Sequence, residues 1–218
     1  MIALVRYLFT ILLLSQRYLA PLLLFVGLAA VLTSSDSGPL PATYSAVAGA
    51  MLLSSAWLTM ALLGLEDPPH RAIVVVGAGS HLRVLLGSVA TTASWCLLLT
   101  GAGLVLPLVF GTHTLHPADL VLGTEAQLVC AFTGMAVGLL CSRLVFRRQG
   151  YALVAALVLL LASLLGKGVS PVNLLLTDLQ HASKSADVLG STGVLVGAAA
   201  ALLAAGAAAT HAITVRKS

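Results

Sequence analysis

The chain predicts an all-α, polytopic membrane protein with six transmembrane helices, and three observations carry that prediction. Hydrophobic residues fill 59% of the 218 positions and charged residues only 8%, against about 25% charged in a soluble domain. The apolar residues come in long runs with short polar stretches between them, and the mean hydropathy is +1.06. The cations are distributed unevenly about those runs. With both termini in the cytoplasm, Arg6, Arg17, Arg71, Arg83, Arg143, Arg147, Arg148, Arg216 and Lys217 fall inside, and only Lys167 and Lys184 fall outside. Nine against two is a strong positive-inside bias. The surplus of Lys and Arg over acidic residues (11 against 7) is therefore topological and speaks for no nucleic-acid partner. Residues 1–218 read as a single transmembrane domain in the cell (plasma) membrane.

Residues 1–17 are apolar except for Arg6, Thr10 and Arg17, which fall within about 40° of one another at 100° per residue. That stripe predicts an amphipathic helix lying in the cytoplasmic interface. A cleaved signal peptide is the rival. One positive charge precedes the apolar run and Ser15-Gln16-Arg17 offers no small-x-small cleavage site, which argues against it. The first span follows over 18–33, then a turn-rich exterior loop with Asp36, Gly38 and two prolines. The second span covers 42–65. The third covers 84–110, where Pro107 should kink or end it because proline removes a backbone donor. The fourth covers 120–144, running into Arg143, Arg147 and Arg148, and the fifth covers 151–165. Residues 167–187 are mixed, with an apolar stretch too short to cross, and predict a re-entrant or interface-lying exterior element. The sixth span, 188–215, is dominated by Ala and Gly.

The polar interruption at 66–83, between the second and third spans, is too long for a simple connection. It carries Glu66, Asp67, His70, Arg71, His81 and Arg83 around the apolar run Ala72–Val76. A short cytoplasmic element with an apolar face is expected there, docking a soluble partner.

Other candidate residues are few. Glu125 and Gln127 are polar groups within the fourth span, and an intramembrane carboxylate points to a transport path. Glu125 also lies only about one and a half turns past Asp119, where it could face the headgroups. His113 and His116, with His181 on the same side, could approach a metal, but nothing at suitable spacing completes a tetrahedral site. Cys96, Cys130 and Cys141 sit in apolar segments as small hydrophobes. Gly77-Ala78-Gly79-Ser80-His81 sets a serine beside a histidine, yet adjacent helical residues point apart and no third group orients the base. Gly166-Lys167 has neither the upstream glycine nor the following Ser or Thr of a phosphate loop, so ATP hydrolysis belongs to another polypeptide. No catalytic residue and no cofactor or metal in this chain is expected. In the sixth span Gly193, Gly197 and Ala201 stand four apart, a face for close helix packing within the bundle or between protomers.

The whole pattern resembles the membrane subunits of type-2 ABC exporters, which are ABC transporter permeases. Glu66 matches the glutamate that leaves the second span in that family, Val75-Val76 its Leu-Leu pair, and Ser80 its serine. His81 and Arg83 take its basic positions, and Val84–Gly87 its closing apolar run. Asp67–Arg71 replaces the family's acidic-Gly-Thr turn, Gly79 stands where proline is usual, and Ser88 replaces a lysine. The resemblance implies a permease dimer, identical or mixed, with an ABC ATPase pair that holds ATP and Mg. The 66–83 segment would be the coupling helix. Its 72–76 face would fill a groove in the ATPase while Arg71 and Arg83 meet an acidic rim. The scarcity of polar residues in the spans suits an amphipathic cargo such as a drug, peptide or lipid. The competing class is a small membrane-embedded scaffold that docks a soluble partner without transport.

Overall fold

The computed structural model describes residues 2–34, 40–65, 68–110, 117–146, 148–166, 168, 170–181 and 188–217. Every regular element among them is an α-helix: α1 (Ile2–Ser15), α2 (Leu19–Ser34), α3 (Leu40–Leu63), α4 (Pro68–Ala78), α5 (His81–Phe110), α6 (Pro117–Leu140), α7 (Gln149–Leu165), α8 (Pro171–His181) and α9 (Leu189–Lys217). Among the described residues α3, α5, α6 and α9 are long and apolar enough to cross a bilayer, and α1 with α2 qualifies as a pair bent by 77°. With 16 and 17 residues, α2 and α7 are shorter. They rise about 24–26 Å, less than the roughly 30 Å hydrocarbon core.

Around the apolar helices hydrophobicity does not choose a face, so small and hydroxyl-bearing residues do. α6 is the hub and packs on α3, α5, α7, α8 and α9. Tyr44 of α3 lies on Gly123, Ser55 on Gly134, and Ala56 and Thr59 on Gly138, so α3 and α6 run parallel. α9 is parallel to them, since Thr192 meets Glu125 near one end and Gly206 meets Ala136 further along. α5 runs the other way, with Leu104 on Gly123 and Gly103 on Gln127. A Cβ on Gly138 would stand 2.6 Å from the Ala56 carbonyl and 2.7 Å from Thr59 Cβ, so only glycine permits the approach. Two buried threonine hydroxyls bond within their own helix: Thr59 donates to Ser55 O at 2.7 Å and Thr133 to Val129 O at 2.8 Å.

α1 does more than lie on a surface. Gln16, at φ 54, turns the chain into α2, and α1 packs along α5. Leu4 and Leu8 press on Gly87, and Leu12 is buried with Leu58, Leu62 and Trp95. Trp95 stacks between Phe9 and Tyr18, with ring centroids at 5.3 and 5.0 Å. Arg6, Thr10 and Arg17, the predicted stripe, are all exposed. Arg17 Nη1 reaches across and donates to Gly64 O at 3.1 Å, tying the start of α2 to the end of α3.

Two boundaries differ from the expected ones, the start of α5 and the end of α6. α5 begins at His81 because Ser80 caps it, so the end of the polar stretch is its first turn. Pro107 sits inside α5, which continues to Phe110. α6 ends at Leu140 and 141–145 form turns. In the 167–187 stretch, α8 buries Val172, Leu175 and Leu179 in the main core. Asn173 Nδ2 donates to Leu164 O at 2.6 Å, satisfying a carbonyl of the last turn of α7. Lys167 and 182–187 of that stretch lie outside the described residues.

Candidate functional site

α6 carries its polar side chains to three neighbours. Asp119, Gly123 and Gln127 are four apart and share one face. Gln127 is fully buried, and neither its Oε1 nor its Nε2 has a hydrogen-bond partner. The amide lies against α5, where a Cβ on Gly103 would stand 2.7 Å from both of its polar atoms. Tyr44 of α3 is also fully buried with its hydroxyl unpartnered, and its ring covers Gly123. The buried Asp119 carboxylate acts on Tyr44 electrostatically. A buried polar atom left unpaired costs about 1–3 kcal/mol, so this arrangement holds open donors and acceptors among α3, α5 and α6. It can bind a water or the polar group of a ligand.

Glu125, two residues before Gln127, faces α9. Its Oε2 accepts a short hydrogen bond from Thr192 Oγ1, and Thr192 is fully buried. Gly193 lies beside the same carboxylate, its Cβ position 3.8 Å from Oε1. Glu125 therefore joins α6 to α9, and the half-buried carboxylate has a partner in this chain. Thr192→Val should lower the thermal midpoint in detergent by the equivalent of about 1–3 kcal/mol, because the carboxylate loses its donor. Thr192→Ser should restore it. A Val variant as stable as the wild type would show that this bond holds nothing together.

The 66–83 stretch contains α4, an eleven-residue helix. Val74, Gly77 and Ala78 line a groove with Ala3 and Leu4 of α1. On the other side Ile73 is 70% and Val76 82% exposed, while Val75 is half-buried. The outward apolar pair is thus 73 and 76, three apart on one face, and Ile73 was not singled out by sequence. Spacing on a helix could have found it, had the helix boundary been known. Gly79, at φ 73, reverses the chain, and its N–H bonds Val75 O at 2.9 Å, closing α4. Ser80 Oγ accepts from Arg83 N–H at 3.2 Å as the cap of α5, and Arg83 Nη1 donates to Ala78 O at 3.2 Å. Ser80 and Arg83 thereby fix the α4–α5 corner, and Ser80 is committed to that cap. His81 is half-buried in the first turn of α5. Glu66 and the Arg71 side chain lie outside the described residues.

On α9, Gly197 and Ala201 are exposed, and a Cβ on Gly197 would meet nothing within 4 Å. The glycine pair buried inside the chain is Gly134 and Gly138. Cys96, Cys130 and Cys141 are buried free thiols. Among the described residues no three His, Cys, Asp or Glu side chains converge on a possible metal position, and His113 and His116 lie outside them. Comparison with protein-family models, with curated proteins and with solved structures finds no match to this chain.

Proposed function

We propose that the chain is the membrane-spanning permease subunit of an ATP-driven ABC exporter, coupled to a separate ATPase through α4. The observation that carries this reading is α4 itself, a short helix between two apolar spans with Ile73 and Val76 turned outward. Its corner with α5 is fixed at Gly79, Ser80 and Arg83, so a push on α4 moves α5 with it. α5 is 30 residues long, about 45 Å, and exceeds the hydrocarbon core by several turns. With that excess on the cytoplasmic side, α4 would lie below the membrane, within reach of a soluble subunit.

The relative helix directions support a six-span topology, and the distribution of Lys and Arg supports both termini in the cytoplasm. α3, α6 and α9 are parallel and α5 is opposed to them, as expected for the second, fourth and sixth spans against the third. Gln127, Tyr44 and Glu125 would then lie in the exterior half, where an amphipathic cargo finds its polar contacts. The outward small-residue face at Gly197 and Ala201 would meet the second permease chain. ATP and Mg belong to the ATPase.

The test is purification from the native membrane in mild detergent, comparing the wild type with Ile73→Asp/Val76→Asp. Two buried apolar side chains contribute roughly 1.5–3 kcal/mol each. The double variant should therefore hold a co-purifying phosphate-loop ATPase at least about a hundredfold more weakly, while remaining inserted. A folded wild type that brings down no ATPase would sink the permease reading.

A further inference from the structure

At the end of the bundle that holds Arg17 and Arg143, a cavity of ≈430 Å3 opens between the start of α2, the end of α3 and the α6–α7 connection. Its volume is in the range of small-molecule sites. Arg17 and Arg143 enter it from separate elements. Arg17 spends one donor on Gly64 O, and the aliphatic stem of Arg143 passes beside Gly64, 3.9 Å from where a Cβ would stand. Ser142 lines the same cavity, is only 1% exposed, and its hydroxyl has no partner. Among the described residues that line it there is no carboxylate. Trp57, Ala61 and Leu153 give the cavity apolar lining, and Trp57 and Leu153 stand about half exposed.

We infer that this cavity binds an anionic phospholipid of the surrounding leaflet. The two guanidinium groups and the Ser142 hydroxyl take the phosphate, and the first part of an acyl chain runs over Trp57 and Leu153. Guanidinium forks match phosphate oxygens in geometry and charge. A buried hydroxyl with no protein partner needs one from elsewhere. Part of the apolar lining is exposed, so a phosphate carrying an acyl chain fits better than a free phosphate. Basic pockets between helices at the cytoplasmic face are where anionic headgroups collect. The site is distinct from α4 and does not depend on the transport reading.

The test uses the full chain in detergent micelles doped with brominated phosphatidylglycerol or brominated phosphatidylcholine, following tryptophan fluorescence. The chain has two tryptophans, and the Trp57 component is the part lost in Trp57→Phe. Quenching of Trp57 should reach half its extent at about a tenfold lower mole fraction of the anionic lipid than of the zwitterionic one. Arg17→Gln/Arg143→Gln should abolish that preference, and Arg6→Gln/Arg216→Gln, equal in charge but off the cavity, should keep it. Should the double variant not fold, Ser142→Ala with Arg143→Gln alone must still reduce the preference. Equal quenching by both lipids in the wild type overturns the inference, as does a preference that survives loss of Arg17 and Arg143. Displacement of the anionic lipid by millimolar inorganic phosphate would instead assign the site to a free anion and also overturn it.

Discussion

Gly138→Leu is expected to separate α3 from α6 and to be among the most damaging single changes in the chain. The obstruction is the backbone carbonyl of Ala56 at 2.6 Å, with Thr59 Cβ at 2.7 Å, and neither can rotate away. At Gly134 a side chain would collide with Ser55 Oγ and Leu52 O, so Gly134→Val should behave alike. Overpacking costs about 1–3 kcal/mol where flexible side chains can yield, and here the upper end applies. About 3 kcal/mol corresponds to a thermal midpoint lowered by roughly 6–12 °C in a chain of this size. Gly197→Leu provides the contrast, because nothing stands within 4 Å of that Cβ. It should leave the midpoint of the single chain unchanged while weakening any pairing through α9. Thermal unfolding in detergent, with size measured alongside, separates the two. Equal tolerance at 138 and 197 would contradict the packing described for α3 and α6.

Gln127→Met is expected to act in the opposite sense on stability. The side chains have nearly the same shape, and the change removes two buried polar atoms that have no partner. Removal of such an unsatisfied group is worth about 1–3 kcal/mol, so the midpoint should rise by roughly 2–12 °C. If those atoms serve the cargo, export should fall in the same variant. A stabilised protein with lost transport is the signature of a polar group kept for function. A lower midpoint would show that the amide is already paired within the membrane.

The sequence made the helical membrane character plain, because composition and the length of apolar runs follow directly from the solvent. It also located α4 and α8, where polar interruptions were too long for loops. It did less well on which faces meet. Gly134-x-x-x-Gly138 and Gly193-x-x-x-Gly197 have the same spacing, and the sequence points to the second as a packing face, within the bundle or between protomers. The first is the one buried inside the chain, since burial depends on what stands opposite, here Leu52, Ser55, Ala56 and Thr59 of α3. Gln127 and Glu125 were visible as polar residues in an apolar run. Their different situations, one unpartnered and one bonded to Thr192, follow from partners 24 and 67 positions away (Gly103 and Thr192), which no local pattern encodes. Ser80 read as part of a docking motif is in the structure the cap of α5, a role that shows only once the helix start at His81 is known.

The parallel course of α3 and α6 has a consequence for how the chain is made. Parallel neighbours cannot be delivered as a hairpin. α3 ends at Leu63, and α4 and all of α5 must be synthesised before α6 begins at Pro117. Through that interval the face of α3 with Ser55, Ala56 and Thr59 has no α6 to rest on. Its most intimate contact is therefore formed late in synthesis, between segments inserted at different times. Nascent chains halted before residue 117 should be the ones that quality control removes, and those extended past Leu140 should be the first to resist it.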